Sequence, residues 1–486
     1  MGSVLGHLKP ELVWYHFEEI CKYPRCSKKE EKIAEYVVSV GKRLGLQTEK
    51  DKFGNILIRK PASPGKENLK TVTMQGHIDM VCEKNRGVEH DFDNDSIQPY
   101  IDGDWVKAKG TTLGADNGIG VAAALAVLEA DNIEHGPIEA LFTLDEETGL
   151  TGASSLKKGW LKGDILINMD SEELGTLFIG CSGGKNTAAK FKIKPEKAPR
   201  NYSAFELKVE GLKGGHSGLE IHAGRGNAVK ILNRAIWEYS KENKLRLAEI
   251  NGGNKHNAIP REAFAVVLVP KGNENKLKKF VNSYNQIVKA ENASVEPDLS
   301  VSLAKHSVPE KVMDEKTQRN LVNALYAIPH GVIKMSNDIP GLVETSTNLA
   351  VVETVGKNVN IVTSQRSSVA SEIKDITAMV STVLQLAGAE ISYGDGYPGW
   401  KPDINSDVLK VFKSTFETMY GKEPEVTAIH AGLECGIIKE KYPDMDMISF
   451  GPTMFGVHSP DEKLQISTVP EFYNQLVNVL KNIPVK

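Results

Sequence analysis

Apolar residues recur with two different periods along residues 1–180 of this chain. The short runs NILIRK, TVTMQG, EALFTL and DILINMD have the length and apolar content that predict buried β-strands. KKEEKIAEYVVSVGKRLG and NGIGVAAALAVLEA instead have apolar positions at helical spacing, and the second is so rich in alanine that we expect it to pack on a sheet. Asp116 and Asn117 begin this second helix, where we expect them to cap it. The alternation predicts a layered α/β domain.

The pattern changes at FIGCSGGKN, residues 178–186, after which lysine, asparagine and amphipathic strands become more frequent. From FELKVEG to VSLAKH the segments follow a β-α-β-β-α-β order. A similar order continues from QRNLVNALYAI to AEISYG, which raises the hypothesis of an internal duplication, although the two halves share no visible sequence identity. The α/β alternation returns at SDVLKVFKSTFETMYG and continues to a last helix in PEFYNQLVNVLKNI.

These patterns predict an α/β protein of two domains, one inserted into the other. We expect residues 1–184 and 391–486 to form an α/β/α sandwich around a mixed, mainly parallel sheet. Residues 185–390 are expected to form an inserted α+β domain of ferredoxin-like character. A length of 486 residues agrees with this division, because one hydrophobic core rarely organises so long a chain.

Composition and charge exclude several classes of partner. With 40% apolar and 25% charged residues, the chain has the composition of an ordinary globular protein. Its 59 basic and 63 acidic residues leave a formal net charge of -4, so neither nucleic acid nor a membrane is expected as a partner. No apolar run reaches about 18 residues, and the first twenty residues lack the apolar core of a signal peptide. We therefore expect a cytoplasmic protein.

Cysteine usage points the same way. The five cysteines are odd in number and scattered without CxxC pairs, which argues against a disulfide framework and against a thiolate metal site. We predict that all of them are reduced thiols: Cys21, Cys26, Cys82, Cys181 and Cys435.

Acidic residues and histidines collect where predicted strands end. In open α/β sheets the carboxyl ends of the strands border the crevice in which ligands bind. Each residue alone is explained by a helix cap or a solvated loop, but together they lie at one edge of one sheet. Two histidines and three carboxylates suit zinc, manganese or cobalt, and their number fits two ions that share a bridging carboxylate. The edge carries seven such residues, of which five are candidate ligands and two are helpers: His77, Asp79, Asp116, Glu146, Glu147, Asp170 and His458.

In each of two pairs of nearby residues, one residue can bind a metal and the other can assist it. In an extended segment adjacent side chains point to opposite sides, so Glu147 can bind a metal while Glu146 faces the water and takes its proton. Asp79 lies two residues after His77 and so on the same side of the segment, where it can orient that histidine.

Several motifs in order resemble those of one enzyme family. QGHIDMV, GTTLGADNGIGVA, TLDEETGLTGA, NMDSEE, GGHSG and FGPTMFGVHSPDE are similar to the set found in dinuclear zinc metallopeptidases related to aminoacylase, carnosinase and glutamate carboxypeptidase. The resemblance covers essentially the whole chain, and the combination is specific although each motif alone is weak. LGADNGIG, KGGHSGLEI and HAGLECG are most similar to bacterial cytosolic members that cleave Xaa-His dipeptides.

The resemblance implies a role for each residue at the sheet edge. Asp116 would bridge two zinc ions, which manganese or cobalt can replace. His77 and Asp170 would hold one ion, and Glu147 and His458 the other. Glu146 would be the general base and Asp79 the residue that supports His77. A cis peptide bond is implied between Asp116 and Asn117.

The resemblance also implies the substrate and the assembly. It predicts hydrolysis of dipeptides, with Xaa-His and β-Ala-His preferred, by a water that the two metals activate. Residues 185–390 would then be a lid that closes over a short substrate. A homodimer is implied by relatives with such lids.

The inserted domain contains candidates for substrate binding. GLKGGHSGLEIHAGRGNA surrounds His216 with glycines but lacks the GK[ST] ending of a phosphate loop. By resemblance His216 would donate a hydrogen bond to the oxyanion, from its own chain or from a neighbouring subunit. Asn257, Arg366 and Gly432 match positions that contact the carboxyl-terminal part of the substrate, and arginine suits a carboxylate. Glu434 is a candidate for the substrate's amino end.

Two alternatives remain open at this point. An amidohydrolase that removes acyl groups from amino acids would need the same metal ligands, and a comparison of Xaa-His dipeptides with N-acyl amino acids separates the two activities. A binding protein that has lost catalysis is the other alternative, and the presence of Glu146 with all five candidate ligands argues against it.

Overall fold

The computed structural model describes residues 3–486, which divide into two compact units. Of the described residues, unit 1 comprises 3–181, Trp400–Ala428 and Leu433–Lys486. Unit 2 comprises Ser182–Gly399 and Ile429–Gly432. Among the described residues, no helix has the length and apolar character needed to span a membrane.

The first part of unit 1 alternates strands and helices as the apolar periods predict. Its helices and strands are α1 (Glu11–Ile20), α2 (Glu31–Arg43), β1 (Gln47–Lys50), β2 (Ile56–Lys60), β3 (Val72–His77), β4 (Pro99–Asp102), β5 (Trp105–Ala108), α3 (Ala115–Glu129), β6 (Ile138–Thr143), α4 (Glu146–Gly149), α5 (Thr151–Ser155), β7 (Ile165–Asn168) and β8 (Thr176–Cys181).

Unit 2 follows with a higher proportion of strands. Its elements are β9 (Gly183–Lys192), β10 (Pro195–Lys197), β11 (Tyr202–Glu210), β12 (Gly215–His216), α6 (Ala228–Glu242), β13 (Arg246–Gly252), β14 (Ala258–Ile259), β15 (Ala263–Pro270), α7 (Glu274–Asn292), β16 (Ser300–His306), β17 (Lys311–Met313), α8 (Glu315–Ala327), β18 (Gly331–Met335), β19 (Val343–Val355), β20 (Asn358–Ser367), α9 (Ala370–Leu386) and β21 (Glu390–Tyr393).

The last part of the chain completes the α/β pattern. Its elements are α10 (Asp407–Tyr420), β22 (Glu425–Ile429), α11 (Glu434–Lys441), β23 (Asp446–Ser449), β24 (Met454–Phe455), β25 (Lys463–Gln465) and α12 (Thr468–Lys481).

Unit 1 is built on an eight-stranded mixed sheet in the order β1-β2-β6-β3-β7-β23-β8-β22. The central strands β6, β3, β7 and β23 run parallel to one another. The pairs β1–β2, β2–β6 and β23–β8 are antiparallel. All residues of β3, β6 and β7 are buried, as expected for parallel strands covered on both faces. The carboxyl ends of the parallel strands therefore meet at one edge, where a site can form.

Helix α3 packs against β3, β6 and α1, and it is buried along almost its whole length. The prediction that Asp116 and Asn117 cap this helix is wrong. Gly114 occupies the N-cap position, and neither of the two predicted residues accepts a capping hydrogen bond. Asn117 instead donates its side-chain amide to the carbonyl of Met169 at 2.6 Å. The peptide bond between Asp116 and Asn117 is cis.

Unit 2 contains a nine-stranded sheet with two halves of the same topology. The strands β16-β11-β15-β13 lie beside β19-β20-β9-β21, and β18 pairs with β19. Numbered along the chain within each half, both halves have the order 4-1-3-2, and a helix joins the first strand to the second and the third to the fourth. The first strand of the second half, β9, precedes the whole first half along the chain, which is why the periodicity of the sequence shows the second repeat only from its helix onward.

A disulfide joins Cys26 to Cys82, so the prediction that all cysteines are reduced is wrong for these two. They are 56 residues apart, and an isolated parallel β-bridge between Cys26 and Met80 brings their segments together. Spacing along the chain does not reveal such a contact. Cys21, Cys181 and Cys435 are free and buried.

Candidate functional site

His77 is the last residue of β3 and is buried at the carboxyl edge of the unit 1 sheet. Its Nε2 lies 3.1 Å from Oδ1 of Asp116 and 3.2 Å from Oδ1 of Asp170. Its Nδ1 lies 3.3 Å from Oδ1 of Asp79. Three carboxylates thus meet around the imidazole of His77: Asp79 after β3, Asp170 after β7 and Asp116 at the start of α3.

A second group forms around His458, which follows β24. Its Nε2 lies 3.1 Å from Oδ2 of Asp116 and 2.9 Å from Oε2 of Glu147. The two carboxylate oxygens of Asp116 therefore face two different histidines. This is the arrangement of a carboxylate that bridges two adjacent cation positions.

The donor atoms are close enough to share metal ions. Within each of three groups, one ligand atom from every residue lies within 4.8 Å of the others. The side chains of Asp170 and Glu147 each have a buried oxygen, Oδ1 and Oε1 respectively, that accepts no hydrogen bond. Orphaned buried carboxylate oxygens beside imidazoles fit a divalent metal. The groups are His77, Asp116 and Asp170; His77, Glu146 and Glu147; and Asp116, Glu147 and His458.

The electrostatics of the cluster also favour bound cations. Burial raises the pKa of Asp170 well above its usual value, and the carboxylate of Asp116 adds to the effect although His77 opposes it. Burial likewise raises the pKa of Glu146 well above its usual value. Hydrogen bonds to Asp116 and Glu147 raise the pKa of His458 to about 11. Raised pKa values thus favour protons on Asp170, Glu146 and His458, and bound metal ions would replace this positive charge.

Glu146 and Glu147 lie in the short helix α4, so the expectation of an extended segment is wrong there. The chain turns at Asp145, which has a φ of 52° and whose carboxylate accepts hydrogen bonds from the hydroxyls of Thr148 and Thr151. Both glutamates lie in the group around His77, and Glu147 also contacts His458. The contact with His458 therefore distinguishes the two neighbours, although a helical turn rather than strand alternation separates them.

Asp79 supports both His77 and helix α4. Its carboxylate accepts the backbone amides of Glu146 at 3.1 Å and Glu147 at 3.2 Å, and the hydroxyl of Ser27 at 2.7 Å. Burial opposes ionisation of Asp79, but His77 and these hydrogen bonds hold its pKa below the usual value. Asp79 therefore stays a carboxylate and connects the two segments that carry the cluster.

Glu462 is a buried residue whose role the sequence did not reveal. Its carboxylate accepts the backbone amides of Leu113 at 2.7 Å, Gly114 at 2.8 Å, Ala115 at 2.7 Å and Asp116 at 3.2 Å. Glu462 thus acts as a cap for the start of α3, next to Asp116, which lies between His77 and His458. Its position four residues after His458 was the only available signal.

Arg25 is a second residue that the sequence did not reveal. It is 2% exposed and donates to the carbonyls of Ile78 at 3.2 Å and Asp79 at 2.8 Å. It also donates to the carbonyl of Gly114. Arg25 therefore ties the segment after His77 to the segment before Asp116.

The four predicted substrate residues lie together within unit 2. Nη2 of Arg366 lies 3.5 Å from Nε2 of His216, and its Nη1 donates to the hydroxyl of Tyr397 at 2.9 Å. A Cβ at Gly432 would lie 3.3 Å from that same hydroxyl oxygen, so the absence of a side chain at Gly432 leaves room for Tyr397. The carbonyl of Asn257 accepts the amide of Ser217 at 2.8 Å, beside His216. Tyr397 was not predicted.

His216 is held as a neutral hydrogen-bond donor. Its Nδ1 accepts the backbone amides of Gly218 at 3.3 Å and Leu219 at 3.1 Å, which places the ring proton on Nε2. Burial, with the charge of Arg366 as a further cause, lowers the pKa of His216 to about 4. Nε2–H and the guanidinium of Arg366 are then two donors side by side, and Nε of Arg366 is buried without a partner. Such a pair suits an anion.

Comparison with known proteins gives matches over most or all of the chain. The profile of "Peptidase family M20/M25/M40" matches residues 73–482. The cytosol non-specific dipeptidase of Escherichia coli is 46% identical over 484 residues, 100% of each chain. The crystal structure of aminoacylhistidine dipeptidase from Vibrio alginolyticus has a TM-score of 0.93 at 47% identity and covers 99% of this chain and 98% of that chain. Aminopeptidase PepT from Bacillus cereus shares the fold with a TM-score of 0.57 at 16% identity, covering 98% of this chain and all of that chain (100%).

Proposed function

Because this chain belongs to peptidase family M20/M25/M40, we propose that it is a metal-dependent dipeptidase that cleaves Xaa-His dipeptides among its substrates. The observation that carries the proposal is the position of Asp116, whose two oxygens each face a different histidine. The dipeptidase names of two relatives, at 46% and 47% identity over nearly the whole chain, support the substrate class. The name of the Escherichia coli relative supports a cytosolic location.

We assign two zinc ions to the cluster, with manganese or cobalt as substitutes. His77 and Asp170 would hold one ion, Glu147 and His458 the other, and Asp116 both. When bound, such a pair polarises a carbonyl and lowers the pKa of water. The donor set of imidazoles and carboxylates without thiolates fits these metals.

Glu146 acts as the general base in this proposal. It takes a proton from the attacking water and returns it to the leaving amine. Its position in the group around His77, next to a ligand but not required as one, supports this role. Asp79 orients His77 through Nδ1, which leaves Nε2 free for a metal.

The residues of unit 2 recognise the other parts of the substrate. Arg366 binds the terminal carboxylate, and the glycine backbone at Gly432 and the side chain of Asn257 contact the same end. His216 donates its Nε2–H to the oxyanion, from its own chain or within a homodimer. We assign residues 1–184 and 391–486 to the catalytic domain and 185–390 to the lid domain.

A panel of substrates and metals tests the proposal. Protein freed of metal should be inactive, and zinc, manganese or cobalt should restore cleavage of Gly-His and β-Ala-His. N-acetyl-histidine is the matched control, because it lacks the free amino group and is the substrate of an amidohydrolase. Faster cleavage of N-acetyl-histidine than of Gly-His, or no cleavage with any of the three metals, would contradict a dipeptidase.

A further inference from the structure

Glu434 begins α11, and its side chain is fully buried, with 0% exposure, at the site edge of unit 1. Its Oε2 accepts the side-chain amide of Gln75 at 2.6 Å and the hydroxyl of Thr143 at 2.6 Å. Both donors lie on the parallel strands β3 and β6, close to their carboxyl ends. The carboxylate is therefore fixed in position by the sheet itself.

These two contacts place Glu434 beside the candidate metal centre. Gln75 lies two residues before His77 on β3, so their side chains project from the same face of the sheet. Thr143 is the register partner of His77 on the neighbouring strand, which also lies on that face at a strand spacing of about 4.8 Å. Glu434 therefore lies on the face from which His77 projects.

Among residues 3–486 Glu434 forms no salt bridge, and the nearby His77 only partly offsets the effect of burial on its pKa. Its second oxygen, Oε1, is buried and accepts no hydrogen bond. Burial raises its pKa to about 7, and its charge in turn contributes to the raised pKa values of Glu146 and Asp170. A buried, half-satisfied carboxylate costs stability, which a cationic ligand group recovers.

We propose that Glu434 binds the protonated α-amino group of the dipeptide through Oε1 and thereby selects free-amino substrates over N-acyl amino acids. This inference rests on the proposed function, because it assumes that a peptide carbonyl lies at the metal centre. In a dipeptide the α-amino group is two bonds from that carbonyl carbon, on the opposite side from the terminal carboxylate. An ammonium group offers three donors, and Oε1 accepts one of them as a charge-assisted hydrogen bond.

Two substrates that differ only in the amino group test the inference. Alanyl-histidine and propanoyl-histidine should be assayed with the wild type and with Glu434→Gln. We expect kcat/KM for alanyl-histidine to fall about 100-fold or more, because a buried charge pair is broken. The value for propanoyl-histidine should stay within about threefold, because that substrate never formed the pair.

Glu139→Gln is a matched control, because Glu139 is also a buried acid of the same sheet, 2% exposed and paired with Arg59. It should leave the ratio between the two substrates unchanged. If Glu434→Gln lowers kcat/KM by the same factor for both substrates, the role of Glu434 is purely structural and the inference is overturned. If Glu434→Gln lowers neither value, the inference is overturned as well.

A binding experiment separates this inference from the proposed function. Calorimetry of the zinc-loaded protein with alanine hydroxamate and propanohydroxamate measures the preference for the amino group without any cleavage. If the wild type prefers alanine hydroxamate and Glu434→Gln does not, the inference stands even if no dipeptide is cleaved. If the wild type shows no preference, the inference fails even if dipeptides are cleaved.

Discussion

At the scale of single residues, two adjacent glutamates of α4 lie in different surroundings. Both lie in the group around His77, but Glu147 also contacts His458. We predict that Glu146→Gln keeps both metals but lowers kcat about 1000-fold, because general base catalysis contributes roughly 10²–10⁴-fold. Elemental analysis and steady-state kinetics of the same preparation check this. An undiminished rate would show that another group is the base.

Asp116→Ala is the matched comparison for Glu146→Gln. Because Asp116 faces both histidines, its loss should remove metal together with activity. Retention of two metal ions per chain after this substitution would show that Asp116 does not bridge them.

At the scale of one element, the start of α3 depends on a residue far along the chain. Four backbone amides there donate to Glu462, and the fourth is that of Asp116. We predict that Glu462→Ala destabilises unit 1 by about 1–3 kcal/mol, because buried donors lose their acceptor. Metal affinity should fall about 10–100-fold, because the residue that holds Asp116 is lost.

Chemical denaturation of the metal-free protein and chelator competition of the loaded protein measure the two effects separately. Glu471→Ala is a control, because Glu471 lies in the first turn of α12 away from these amides. If Glu462→Ala bound metal as tightly as the wild type, the positioning role of Glu462 would be excluded.

At the scale of the whole molecule, acid stability depends on histidines that fold into a buried, neutral state. His16 is 0% exposed and lies 2.8 Å from the hydroxyl of Tyr36 and 3.0 Å from Glu129. Burial lowers its pKa to about 4, although Glu129 opposes the shift. Between the unfolded pKa of about 6.5 and that value, the unfolded chain binds more protons, so stability falls as pH falls through this window.

We therefore predict that wild type loses about 3 kcal/mol more than His16→Gln between about pH 7 and pH 4. Urea unfolding of both metal-free proteins at a series of pH values gives the difference directly. If the free energies of unfolding of the two proteins fell in parallel from pH 7 to pH 4, a group other than His16 would cause the loss of stability in acid.

Much of the fold is encoded in local patterns of the chain. The apolar runs that predict strands become β2, β3, β6 and β7. The strands β3, β6 and β7 are buried throughout because parallel strands bury both faces, whereas β2 is antiparallel to its neighbours and its last two residues are only partly buried. The same rule places His77 at the end of β3 and Asp170 just beyond β7, so the shared edge follows from the order of the strands. Residue types alone then indicate a site for divalent metals.

Other features depend on contacts between distant parts of the chain. The turn at Asp145 that puts Glu146 and Glu147 in a helix is held by Glu30, whose carboxylate accepts the backbone amide of Asp145 at 3.0 Å. The acceptor for the start of α3 is Glu462, hundreds of residues away, and the partner of Cys26 is Cys82. Periodicity reports only which face of an element is buried, whereas caps, bridges and buried carboxylates such as Glu434 are decided by which elements pack together. The sequence by itself thus determined the helices and strands and the residue types at the carboxyl edge of the sheet. The tertiary structure decided which residues hold those at the edge in place, because hydrogen-bond partners far apart in the chain produce no periodic pattern in the sequence.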